Sequence, residues 1–291
     1  MLTNEPIRRR TARLAGALAA LALTASLTAA PATAADPPPI YLGFGDSYAA
    51  GIGGGAYEAG PAWIPALPCV QTAAAYSRML GGENLACSGA TTADVSAVVT
   101  AAAYNRTAAP YLANASVITV TVGGNDIEAG TAAAQCAAST ATGFCKAALV
   151  NSLAVKLPQL PGKIKAMVAV IKKYAPRARI VLTGYPRLFT ANASMPEEQK
   201  TTIRTLNSAA DLLNGTIALS ALANRVKYVS VTNQFTNHGI GSADPWIVGP
   251  PEPLCLPTIN CALKGQPGDV FHPTATGYRY GYVPALAGLV P

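Results

Sequence analysis

Five short apolar runs punctuate the chain and read as buried strands: Ile40–Phe44, Leu85–Ala86, Val117–Val122, Ile180–Thr183 and Val226–Val231. The third, Val-Ile-Thr-Val-Thr-Val, is almost wholly β-branched, as a strand covered on both faces tends to be. Helical spacing fills the intervals. Thr72–Leu80 is one such stretch, and Ala93–Thr100 follows Thr91-Thr92, either of which can cap it. Ile164, Met167, Val168, Ile171 and Tyr174 recur on one helical face until Pro176 ends the run. Pro196-Glu197-Glu198 opens the next helix with a proline and two acids where the first turn favours them. Strands alternating with helices predict a parallel sheet covered on both faces, in one three-layer α/β domain spanning residues 35–291. Five strands are too few for an eight-fold barrel. The stretch from Thr232 to Asp269 has no clear period and is rich in proline; a loop of that length is functional, stapled or both.

The first 34 residues stand outside this pattern. Arg8, Arg9, Arg10 and Arg13 precede an uncharged, Ala- and Leu-rich run from Leu14 to Ala30, and Ala32-Thr33-Ala34 supplies an A-x-A cleavage signal. That predicts a secretory signal peptide over residues 1–34, with paired arginines that leave a twin-arginine route open. The rival reading, a membrane anchor, needs a longer and more apolar run. The expected product is a protein released outside the cell.

Composition narrows the partners. The chain has 21 Lys+Arg against 14 Asp+Glu, a net charge of +7, but only 12% charged residues. Four of those arginines fall within residues 1–34, and what remains is too dilute for nucleic acid. Lys163, Lys165, Lys172, Lys173, Arg177 and Arg179 form one basic stretch, read as a solvated helix face because no aromatics interleave with it. Six cysteines follow the leader: Cys69, Cys87, Cys136, Cys145, Cys255 and Cys261. An exported chain meets oxidising conditions, so three disulfides are expected; 15 pairings are possible, and proximity suggests 69–87, 136–145 and 255–261. With no C-x-x-C, no H-E-x-x-H and two histidines in all, no metal or other cofactor is expected.

In an open parallel sheet, ligands bind beyond the carboxyl ends of the strands. The segments found there are Gly45-Asp46-Ser47-Tyr48 after the first strand, Cys87-Ser88-Gly89-Ala90 after the second and Gly123-Gly124-Asn125-Asp126 after the third; Asp269-Val270-Phe271-His272 lies near the C-terminus. Together they hold what acyl transfer requires. Ser47 is the candidate nucleophile and His272 the base that takes its proton. Asp269, three residues upstream, reaches the imidazole if the segment forms one helical turn. The amides of Ser47 and Gly89 and the side chain of Asn125 are candidate oxyanion donors. Each turn taken alone is as well explained by capping or ordinary turn chemistry. His238, with Asp244 nearby, is the rival base.

In their order along the chain these segments resemble the four blocks of the SGNH (GDSL) hydrolases. Gly184-Tyr185-Pro186-Arg187, Leu206–Asn214 and His272-Pro273-Thr274-Ala275 extend the similarity to the secreted actinobacterial lipase/esterase branch, with Tyr48 at the place of the leucine in the motif name. The resemblance implies a flavodoxin-like sheet in the order 2-1-3-4-5, metal-free catalysis and a serine acyl-enzyme. The expected function is a secreted serine hydrolase of carboxylic esters, a lipase, esterase or phospholipase, acting as a monomer on small-molecule or lipid esters with transient lipid-surface contact. A polysaccharide deacetylase and a non-catalytic exported binding protein are the alternatives. Apolar residues at Pro61–Pro68 and Trp246–Pro257 are the expected walls of an acyl pocket.

Overall fold

The computed structural model describes residues 38–64, 69–137, 142–249 and 268–290. The expected leader and the Cys255–Cys261 pair lie outside the described residues. Strands β1 (Ile40–Gly45), β2 (Tyr57–Ala59), β3 (Val70–Thr72), β4 (Glu83–Asn84), β5 (Ala115–Thr121), β6 (Arg179–Thr183) and β7 (Lys227–Val229) form two sheets. The main one is parallel and ordered β4-β1-β5-β6-β7, while β2 and β3 pair antiparallel as a separate ribbon. Counted by its own strands, the main sheet has the order 2-1-3-4-5.

Alternate residues of the sheet feed two cores. Leu42, Phe44, Ile118, Val120 and Leu182 face one layer; Tyr41, Val117 and Val181 face the other. Helices α3 (Thr92–Tyr104), α7 (Leu160–Tyr174) and α8 (Glu197–Ala223) cover the first face through Val95, Val99, Ile164, Met167, Val168, Ile171, Leu213 and Ile217. The second core holds Tyr76, Phe235, Tyr278, Tyr282 and Leu286. These come from α2 (Tyr76–Met79), a π-helical turn at Tyr278–Tyr282 and α10 (Val283–Leu286), with Phe235 supplied by the segment after β7. Among the described residues there are also the short helices α1 (Ser47–Ala50), α4 (Ala108–Ala113), α5 (Ala129–Ala137), α6 (Gly143–Leu149) and α9 (Ala275–Gly277), with a π-helical segment at Val150–Lys156 and a 3-10 turn at Leu157–Gln159. Threonines survive in the buried centre of β5 because each hydroxyl has a partner: Thr119 bonds Tyr41 at 2.9 Å and Thr121 bonds Tyr76 at 2.8 Å.

Three expectations need correcting. The second strand is Glu83–Asn84, just before Leu85–Ala86. It is an edge strand with an exposed Glu83, so it has no apolar signature. Pairing nevertheless continues, since the amides of Leu85 and Cys87 donate to the carbonyls of Gly43 and Gly45. The helix expected at Thr72–Leu80 is confined to Tyr76–Met79, because Val70–Thr72 pairs with β2. The helix after Thr91-Thr92 runs on to Tyr104, and Thr91 is its cap: Asp94 accepts from the Thr91 amide at 2.9 Å, closing a capping box. Two disulfides match the proximity pairing. Cys69–Cys87 ties the start of β3 to the turn after β4, and Cys136–Cys145 ties α5 to α6. Among the described residues no helix is long and apolar enough to cross a membrane.

Candidate active site

Strand β1 delivers its C-terminal turn against β5. Gly45 has φ +135°, and a Cβ there would sit 2.1 Å from the Thr121 carbonyl oxygen, so only glycine fits. The Asp46 amide then donates to that same carbonyl at 2.9 Å. The Asp46 carboxylate caps α1 by accepting from the Tyr48 amide at 2.9 Å, and this fixes Ser47 as the first helical residue. Asp46 is buried and also accepts from the Tyr185 hydroxyl. Loss of hydration pushes its pKa up to about 7 against the pull of those two bonds.

Ser47 Oγ lies 2.6 Å from His272 Nε2. The other ring nitrogen, Nδ1, is 3.1 Å from the Val270 carbonyl oxygen. A carbonyl only accepts, so this bond needs the proton on Nδ1 and leaves the Nε2 lone pair facing the serine hydroxyl. Burial pushes the His272 pKa down to about 4, opposed by the bond to Val270 and the charge of Asp269.

The expected hydrogen bond from the His272 ring to the Asp269 carboxylate is not the one the structure makes; only the His272 amide bonds Asp269, donating to its carbonyl at 3.0 Å. Asp269 Oδ1 accepts instead from the Gly53 amide at 3.1 Å and from the Tyr57 hydroxyl at 2.6 Å. The reason is conformational: Phe271 has φ +69°, so the segment is a turn with a left-handed residue rather than a helical turn. Backbone bonds hold that turn. Val248 donates to the His272 carbonyl at 2.8 Å, Phe271 donates to the Val248 carbonyl at 2.9 Å, and Thr274 donates to the Trp246 carbonyl at 2.8 Å. Part of the aperiodic stretch after Thr232 is therefore the clasp on the histidine.

The other two turns are tied to the first. Cys87 donates to the Gly45 carbonyl at 3.0 Å, and Asn125 Nδ2 donates to the Ala90 carbonyl at 3.0 Å. Asp126 anchors the third turn by accepting from the amide and hydroxyl of Thr92 at 2.9 and 2.8 Å. Gly89 has φ +80° and open space where a Cβ would stand, so its requirement is backbone conformation rather than relief of crowding.

A cavity of about 190 Å³ opens beside Ser47, Asn125 and His272. Gly89 is not among the residues that line it. Its apolar walls include Ile127 from the turn after β5, Ala132 and Ala133 from α5, Leu149 and Leu153 from the α6–π-helical segment, and Leu206, Ala209, Ala210 and Leu213 from α8. The expected walls at Pro61–Pro68 and Trp246–Pro257 do not contribute from their described parts. His238 lies outside the cavity; its ring stacks on Trp246 at 3.6 Å and Nδ1 is 2.9 Å from the Asp244 carbonyl oxygen, so it serves structure. Among the described residues no group of three His, Cys, Asp or Glu side chains is arranged to hold a metal.

Sequence reasoning gave no role to Tyr48, Tyr57, Tyr185 or Asn214. Tyr185 donates to Asp46 and accepts from the Gly124 amide at 3.0 Å, joining the first and third turns. Asn214 clamps the Tyr185 backbone, accepting from its amide and donating to its carbonyl, each at 2.8 Å. Both lie in the Gly-Tyr-Pro-Arg and Leu206–Asn214 stretches, which mark them only through the family resemblance.

Comparison with known proteins gives one family match. The model of the GDSL-like lipase/acylhydrolase family matches residues 44–280. Lipase 1 of Streptomyces coelicolor is 29% identical over 288 residues, covering 95% of this chain and 98% of the relative. An extracellular lipase from Streptomyces rimosus has a solved structure that superposes with a TM-score of 0.68 at 26% identity, covering 86% of this chain and 99% of that one. A phospholipase A1 from Streptomyces albidoflavus superposes with a TM-score of 0.67 at 29% identity, covering 86% and 98%.

Proposed function

The chain belongs to the GDSL-like lipase/acylhydrolase family and is by that membership a carboxylic-ester hydrolase, and from this premise we propose that Ser47 is its nucleophile and His272 its general base. The observation that carries the proposal is the 2.6 Å contact between Ser47 Oγ and His272 Nε2, two residues 225 positions apart. As Oγ attacks the ester carbonyl, its proton passes to Nε2. The tetrahedral intermediate bears its charge on the former carbonyl oxygen, which the amides of Ser47 and Gly89 and the side chain of Asn125 stabilise. Collapse breaks the bond to the alkoxide, which takes the proton from His272. Water then repeats the sequence on the acyl-serine, releasing the acid and restoring both residues. The Val270 carbonyl takes the place of a third catalytic side chain by fixing the tautomer.

The apolar walls of the cavity favour a lipid-like acyl chain over acetyl groups on a glycan. The lipase and phospholipase A1 names of the relatives point the same way. Residues 1–34 are a cleaved leader in this reading and residues 35–291 the exported hydrolase. The two disulfides support export, as does a relative described as extracellular.

Ser47→Ala removes the attacking oxygen and adds no bulk. Turnover of p-nitrophenyl octanoate falls to background while the circular dichroism spectrum is unchanged. Retained turnover overturns the assignment, and wild-type protein that hydrolyses only acetylated glycan overturns the lipid-like substrate.

A further inference from the structure

A base oriented by a carbonyl depends on the backbone around it. The imidazole of His272 is held by Val270, and between them Phe271 occupies the left-handed region that favours glycine. Left to itself, that turn would relax and carry Nε2 away from Ser47. One side chain opposes this directly. The Tyr48 hydroxyl donates to the Phe271 carbonyl oxygen at 2.5 Å. Its ring lies 4.9 Å from the imidazole and edge-on to Tyr185 at 5.0 Å. The residue after the nucleophile is thus bonded to the residue before the base, across 223 positions of sequence.

We propose that Tyr48 is the positioning residue of the base: its hydroxyl holds the Phe271 carbonyl, keeps the Val270–His272 turn left-handed and so keeps Nε2 on Ser47 Oγ. This rests on the hydrolase reading above. Tyr48 lines the cavity beside Ser47, but its hydroxyl is spent on the Phe271 carbonyl, so it acts through His272. The leucine of the motif name could fill the same space but has no hydroxyl to donate. Asp269 secures the outer end of the turn through Gly53 and Tyr57, whereas Tyr48 secures its inner end. The ionisable groups around the imidazole are Asp269 on its own loop, with Tyr48 and, beyond it, Asp46 and Tyr185 across the cleft.

Tyr48→Phe keeps the ring and removes only the tether. The rate of covalent labelling by a fluorophosphonate probe and the kcat for p-nitrophenyl octanoate both fall at least tenfold, with KM changed less than twofold. The acid limb of kcat/KM, near pH 4 in the wild type, moves toward the ordinary imidazole range as the ring gains water. A double-mutant cycle with Phe271→Gly isolates the cause, because glycine adopts positive φ without strain. In the Phe271→Gly background the labelling penalty of Tyr48→Phe shrinks severalfold. A Tyr48→Phe protein that labels at the wild-type rate with an unmoved pH profile overturns the proposal, and so does a penalty of equal size in both backgrounds. Wild-type protein that takes no label overturns the hydrolase reading itself, and the proposal with it.

Discussion

Asp269 separates what spacing can say about a side chain from what it cannot. Three residues before a histidine is the interval of a helical turn, and on that interval a carboxylate reaches the imidazole. The pairing of Ser47 with His272 needed only that the turn after β1 and the C-terminal segment meet at one sheet end. The role of Asp269 needed the φ of Phe271, and nothing in the letters Asp-Val-Phe-His marks a left-handed phenylalanine. The carboxylate accepts from Gly53 and Tyr57 instead. Asparagine can accept from the same two donors through its own Oδ1, so Asp269→Asn should cost less than tenfold in kcat/KM on p-nitrophenyl octanoate. An aspartate bonded to the base loses about 10⁴-fold in kcat on the same change. A loss of that size would restore the triad.

At the scale of elements, legibility followed burial. β5 and β6 announce themselves because helices cover both faces, and α7 does so because one stripe faces the sheet. The edge strand β4 and the ribbon β2–β3 are short and partly exposed, so their pairing partners decide them and no local pattern does. The cavity beside Ser47 has walls other than the expected ones for a similar reason. Proline- and tryptophan-rich loops look like walls, but the apolar lining comes from helices whose small residues leave the space empty. Ala132 and Ala133 of α5 face that space with Ala209 and Ala210 of α8, and Leu206 of α8 also packs on the Cys136–Cys145 staple. Ala210→Leu suits helix propensity and projects an isobutyl group into the cavity. The kcat/KM for palmitate esters should fall at least tenfold relative to acetate esters, with acetate turnover within about threefold of wild type. An unchanged ratio would mean that the acyl chain lies elsewhere.

Across the whole molecule, burial shifts two ionisations that sequence presents as unrelated, a helix cap and the proposed base. Asp46 has its pKa raised from 3.8 to about 7 by burial, and His272 has its pKa lowered from 6.5 to about 4 by the same cause. Their signs oppose. Between about pH 4 and 6.5 the unfolded chain binds a proton at His272 that the folded chain refuses, so this group removes stability as the medium turns acidic. Between 3.8 and about 7 the folded chain binds a proton at Asp46 that the unfolded chain releases, so this group adds stability over nearly the same window. Each contributes a slope of up to about 1.4 kcal/mol per pH unit, and the two nearly cancel. Asp46→Asn keeps the cap on Tyr48 through Oδ1, turns Nδ2 toward the Tyr185 hydroxyl, and deletes one side of the balance. Its melting temperature, measured against wild type from pH 7 to 5, should drop by several degrees more than the wild-type value, with the divergence opening as the pH falls through about 7. His272→Gln should diverge the other way, gaining on wild type as the pH falls. Parallel melting curves for all three proteins would mean that neither group is desolvated as the fold requires, and that the cleft around Ser47 is wetter than its packing implies.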